Sequence, residues 1–226
     1  MKKNAIKLSL LILLLTAFLK PASAQTKAEV FDKKTPITKA EVFDKKTPIT
    51  WLGMDFSQMK FIGSEEAYRR EVINAEFVGK YIPLWENFFL KEPKKYNPAR
   101  AVHRDTVHFA MNVTEKVNNA LTKNFFDTDP GHFKTLTEKD IDALIKNYDF
   151  LGNKGIGMLL IVEGMDKGRA QGGAWVTFVD MDKKTVLYTV FRTGNSRGFG
   201  FRNYWAHPWP VILDDFGADF DLFKKY

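Results

Sequence analysis

The sequence predicts an α/β fold, a single-layer mixed sheet of parallel strands plus an antiparallel three-strand meander, covered by helices. Three observations carry this expectation. Residues 158–162, MLLIV, are an unbroken apolar run after Gly155 and Gly157, the pattern of a strand buried on both faces. Residues 174–180 and 186–192 are rich in β-branched and aromatic types and flank a turn at 180–184, which makes them a hairpin. Upstream, extended segments alternate with helical ones, and helical crossovers make the first three strands parallel neighbours.

The first 24 residues read as a cleaved export signal: Lys2, Lys3 and Lys7 at the start, an apolar run over 8–19 too short to span a bilayer, and Ala22-Ser23-Ala24 before the cut. The mature chain then begins at Gln25, with no Cys after the apolar run to accept a lipid and no further membrane span. A periplasmic or secreted location follows. The signal holds four Lys and no acid, so removing them lowers the formal charge from +7 to +3. That small, interspersed charge gives no electrostatic footprint for nucleic acid. With no Cys in the chain, disulfides, thiol nucleophiles and Cys-ligated zinc are excluded.

Residues 26–37 and 38–49 are the same twelve letters, TKAEVFDKKTPI. So short an identity reads as a local duplication rather than a solenoid. Residues 25–48 are therefore expected to form a duplicated tether, its first copy solvated and only the second entering the domain in fixed register, and 49–226 to form a single α/β domain.

Residues 49–56 predict the first strand. Ser64 is placed to cap a helix over 65–78, with Pro83 separating it from a shorter aromatic helix over 84–90. Residues 91–100 read as a loop. Residues 104–111 alternate as a second strand with Val107 and Phe109 on one face, and Asn112 is placed to cap a helix over 113–123. A turn-rich connection over 125–135 follows. Thr137 and Asp140 then make a capping pair for a helix whose stripe is Ile141, Leu144, Ile145 and Tyr148. After the meander come a glycine-rich loop, 194–200, and a last element from Asn203, interrupted by Pro208 and Pro210, with Ile212, Phe216, Phe220 and Phe223 as its docking face.

This element order resembles the small α/β domain at the amino terminus of the Tol-system protein TolB and related envelope-assembly proteins. The blocks TWLGMDFSQMKFIG and RGFGFRNYW are similar to a family of uncharacterised exported bacterial proteins. The first resemblance implies a binding or assembly role in the envelope; neither implies catalytic residues.

Residues 197–204, RGFGFRNY, fit the RNA-recognition strand signature at each specified place except Arg202, where Val is expected. Export, the small mature charge and the helical pattern that follows favour a structural loop instead. The Gly152, Gly155, Gly157 spacing precedes a strand, whereas a phosphate-binding loop must lead into a helix. His103-Arg104-Asp105 lacks every companion motif of a kinase. His103, His108, His132 and His207 have no metal-ligand spacing and read as surface or capping residues.

One constellation follows from topology. Ligands of parallel sheets sit beyond the carboxyl ends of the strands, and Asp55, Asn112 and Glu163 are the polar residues at those three ends. Two carboxylates on such a rim would bind a cation or form an acid/base pair. The expected function is non-enzymatic binding of an envelope protein or small ligand, without a cofactor; a hydrolase or metal-dependent enzyme using the rim is the alternative.

Overall fold

The computed structural model describes residues 37–64, 66, 68 and 70–224. The expected export signal and the first repeat copy up to Pro36 lie outside these residues. Among them the α/β architecture is as expected: one curled mixed sheet with helices on both faces.

The second repeat copy is not a tether. It forms α1 (Lys39–Val42), whose Glu41 carboxylate accepts the Thr38 N–H at 2.9 Å, and it buries Val42 and Phe43. The Phe43 ring packs on Tyr188 and Phe220, while the Arg104 guanidinium donates to the carbonyls of Val42 (2.8 Å) and Asp44 (2.7 Å). The domain thus takes in the second copy, with Ile37 before it also packed on the core, because a few apolar residues in an otherwise charged segment are enough to dock it.

β1 (Ile49–Asp55) and β2 (Lys60–Ile62) lie end to end along one edge of β5 (Ile156–Asp166), both parallel to it. Outside them sit β3 (His108–Phe109), parallel to β1, and β4 (Phe126–Asp127), parallel to β2. The other edge of β5 starts the expected antiparallel meander, β6 (Gln171–Asp180) and β7 (Thr185–Asn195). β2 and β4 were not expected, since strands of three and two residues are too short to show a period. β3 is much shorter than the strand predicted over 104–111. Val107 is buried but Phe109, at the sheet's margin, is 45% exposed, so the two do not share a buried face.

Alternation along β5 divides the core. Met158, Leu160 and Val162 face α2 (Ile82–Lys91) and α7 (Pro208–Phe223); Leu159 and Ile161 face α4 (Asn112–Asn119) and α5 (Glu138–Lys146). The expected break at Pro83 does not occur. Asn74–Glu76 runs through a π-helical turn, Phe77–Tyr81, into α2, and Pro83 sits in the first α turn, where its missing N–H costs little. Residues 70–73 are not helical, which divides the helix predicted over 65–78. A short α3 (Pro98–Ala101), capped by Asn97, interrupts the predicted loop. α5 has the expected Thr137/Asp140 capping box, with Ile141, Ile145 and Tyr148 buried. α6 (Gly200–Ala206) leads into α7, and Pro208 and Pro210 open that helix instead of interrupting it.

Candidate functional site

The three residues predicted to share a rim do not converge. Asp55 ends β1 as expected and is fully buried. Its Oδ1 accepts the Ser57 N–H at 2.6 Å, and its Oδ2 accepts the Tyr148 hydroxyl. Burial raises the Asp55 pKa, and the Tyr148 hydrogen bond pulls it back. Glu163 is not at a strand end, because β5 runs on to Asp166. Its Oε1 accepts the backbone N–H groups of Thr135 and Leu136 (2.7 Å) and its Oε2 the Trp175 indole N–H (2.8 Å), so it pins a loop to the sheet. Asn112 is exposed at the first position of α4, with Met111 in the cap position and no side-chain capping bond.

The groups that do converge lie along the outer edge of β1, where β3 stops. A backbone edge without a neighbouring strand leaves its N–H and C=O groups to be satisfied some other way. Here side chains do it. Ala110 N–H still reaches the Trp51 carbonyl (2.9 Å), and the Thr114 hydroxyl then donates to the Leu52 carbonyl (2.6 Å). Met54 N–H donates to Glu86 Oε1 (2.6 Å), while Asn118 accepts from Phe56 N–H (2.9 Å) and donates to the Met54 carbonyl (2.8 Å). Lys123 donates to the Ser57 carbonyl (2.7 Å), and Phe61 N–H resumes backbone pairing with the Phe125 carbonyl (2.6 Å) just before β4. Residues from α2 and α4 therefore stand in for the strand missing between β3 and β4.

The sequence is fitted to this at Gly53. Leu52 is an extra residue in the β1–β5 register, a bulge, and Gly53 follows it at φ 99°. A Cβ on Gly53 would lie 2.4 Å from Thr114 Oγ1 and 2.8 Å from Glu86 Oε2. Only glycine lets both side chains reach the edge.

Glu86 is the least ordinary of these groups. It is 7% exposed, and its Oε2 has no hydrogen-bond partner among the described residues. Burial pushes its pKa up to about 8, with the charges of Glu115 and Asp55 adding to the rise and the Met54 N–H opposing it. The carboxyl is thus mainly neutral at pH 7. Beside it a cleft of about 170 Å³ opens between α2 and α4; Glu86, Asn87, Glu115, Asn118 and Asn119 give its polar lining, and Ile82, Leu90 and Met111 are among its apolar walls. On the far side of Asp55, burial pushes the Lys123 pKa down to about 8, against the pull of Asp55. A buried carboxyl titrating near neutrality beside a cleft marks a candidate site.

Sequence reasoning missed Glu86, Thr114 and Asn118, although a signal was present. Glu86 falls four residues after Ile82 and three before Phe89, so an acid sits on the buried stripe of an aromatic helix. Thr114 and Asn118 are likewise four apart on one helix face. Neither pattern says that the partners are backbone groups of a strand some thirty to sixty residues away.

The RNA-type motif is a structural segment anchored by an aromatic, as expected, but it is helical from Gly200 rather than a loop. Gly200 onward is helical, so Phe199 and Phe201 share no strand face; Phe201 is buried among Phe61, Tyr81 and Trp85, and Phe199 is 95% exposed. The histidines serve structure: His103 bonds the Gly217 carbonyl, His132 the Asp127 carboxylate and His207 the Asn195 carbonyl. Among the described residues no cluster of three His, Asp or Glu is arranged for a metal ion, and no helix is long and apolar enough to cross a membrane. No family model matches the chain, and no curated protein or solved structure is similar to it.

Proposed function

We propose that this chain is an exported, non-enzymatic envelope protein, in the manner of the TolB amino-terminal domain it resembles, and that it binds a small ligand in the cleft between α2 and α4. The observation that carries the binding reading is the Glu86 carboxyl, buried at the cleft with one oxygen unpartnered. A buried acid on the wall of a cleft, with its pKa pushed up to about 8, is the kind of group that marks a binding site. The cleft exceeds the roughly 10–15 Å³ one water needs but falls short of a drug-sized pocket, so the occupant is small. The alternative, an enzyme using a carboxylate rim, loses its geometric support, because the oxygens of Asp55 and Glu163 are taken up by donors of the protein itself.

The test is thermal unfolding against a panel of small charged and neutral molecules. A ligand of the cleft raises Tm by mass action, about 2.7 kcal/mol at a hundredfold excess over Kd. Leu90→Trp, which fills the mouth, should abolish the rise. Turnover of an ester or phosphate substrate, lost in Asp55→Asn, would instead establish the enzyme. Export is checked separately by sequencing the amino terminus of the secreted product, expected to begin at Gln25.

A further inference from the structure

We propose that the outer edge of β7 is a docking surface for a second copy of this chain, the two β7 strands pairing antiparallel about a two-fold axis at Val190. Among the described residues the sheet ends on three strands. β3 and β4 end one side and are two residues long each, too short to template another strand. β7 ends the other side; it is 11 residues long and pairs only with β6 among the described residues. Burial follows the same pattern. β5 is buried at every position, whereas β7 stays half-buried along most of its length.

Folded proteins blunt a long edge with charge, proline or a bulge, and here these devices stop early. A bulge at Leu187 and the Asp142 carboxylate, which accepts the Val186 N–H, interrupt only the start of the strand. From Tyr188 to Thr193 there is no proline, no glycine and one charge, Arg192. Alternate N–H and C=O groups of this stretch point away from β6 and meet no strand among the described residues. The segment 185–191, TVLYTVF, is β-branched and aromatic without charge, Gly or Pro, which is the composition of a strand that adds to another.

Symmetry and charge favour a second copy over a foreign strand. A two-fold axis perpendicular to the sheet repeats each contact in both directions, and it keeps α5 on one face and α7 on the other in both copies. With the axis at Val190, Tyr188 lies opposite Arg192 of the second copy and Thr189 opposite its Phe191, so no like charges on β7 are opposed. Arg192 then gains a ring to lie on. It brings Asp219, its partner at 3.2 Å, which offsets Lys39 over the Tyr188 ring. An axis at Arg192 would instead set two guanidiniums against each other. Contact confined to one strand pair and its margins is at the small end of stable interfaces, so the dimer is reversible.

The experiment is sedimentation equilibrium of the purified protein over about a hundredfold range of concentration, in which the mass should rise from one chain toward two. Val190→Lys sets two ammonium groups across the axis and should hold the mass at one chain while the circular dichroism stays that of the parent. The chain has no Cys, so single cysteines report the register. Val190→Cys should cross-link to itself through a short bismaleimide at least several-fold more than Lys183→Cys, which lies in the turn before β7. If Val190→Lys does not fold, this cysteine pair decides instead. One chain at every concentration overturns the proposal and leaves the edge to a strand of another protein. A dimer that persists in the folded Val190→Lys, or cross-linking as strong at 183 as at 190, also overturns it, because the copies then meet elsewhere.

Discussion

The two sides of β5 solve the same problem in different ways. Toward β6 and β7 the backbone pairs along the full strand length, from Ile156↔Asp180 to Asp166↔Gln171 and on to β7, with one-residue register shifts at Glu163 and Leu187. Toward β1 and β2 the next strand is missing over several residues, and Glu86, Thr114, Asn118 and Lys123 complete the hydrogen bonds instead. A backbone ladder tolerates substitution because any residue supplies it. A side-chain ladder does not, and it brings a buried carboxyl with a raised pKa, Glu86, to the wall of a cleft.

The largest expected effect is at Gly53. Gly53→Ala introduces a Cβ at φ 99° and 2.4 Å from Thr114 Oγ1, so it adds backbone strain and displaces two of the edge donors and acceptors at once. A loss of about 4 kcal/mol or more in denaturant unfolding is expected, strain alone accounting for about 1–3 kcal/mol. Next comes Asn118→Ala. It strands the Met54 carbonyl and the Phe56 N–H in a buried setting, for about 2–5 kcal/mol at the usual cost per unsatisfied group. Thr177→Val, in the backbone-paired half, removes the 2.9 Å bond to the Thr189 hydroxyl and a long one, 3.4 Å, to the Trp175 carbonyl, and should cost about 1 kcal/mol. A cost for Thr177→Val equal to that of Asn118→Ala would erase the distinction between the two edges.

The same contrast has a pH signature. The folded pKa of Glu86 is raised from 4.5 to about 8, so its neutral form is favoured by folding; the stability it contributes is full below about pH 4.5 and is lost as pH rises through about 8. Lys123 acts in a separate window. Its folded pKa is lowered from 10.5 to about 8, so its effect is a gain in stability between about pH 8 and 10.5. The slope between pH 5 and 8, up to about 1.4 kcal/mol per pH unit, should be smaller in Glu86→Gln than in the parent. Asp55, also raised, contributes in the same direction and sets the remainder.

The continuous half of the sheet was legible in the sequence. The 158–162 run, the 180–184 turn and the Thr137/Asp140 capping box are local patterns, and each formed where predicted. The second edge was legible only at its ends. β2 and β4 are too short for periodicity, and the role of Glu86 depends on a bulge at Leu52 that nothing in the letters of β1 announces. Asp55 was found because an acid interrupts an apolar strand, yet the structure gives it to Tyr148 and Ser57 rather than to a rim. Glu163 was placed at a strand end that lies three residues further on, and Asn112 one position inside the helix it was meant to cap. Phe43 and Val42 show the same limit from the other side: two apolar letters in a charged repeat look like a tether until their partners on α7 and β7 are known.

Native-state amide hydrogen exchange at Met54 tests the side-chain ladder most directly, since that N–H has Glu86 as its acceptor and no strand beside it. In the parent, Met54 should be protected to nearly the level of Val176, which is paired by backbone on both edges. In Glu86→Ala, protection at Met54 should collapse while that at Val176 changes only by the global loss of stability. Met54 remaining as protected as Val176 in that variant would mean that the edge of β1 is held by something other than the side chains of α2 and α4.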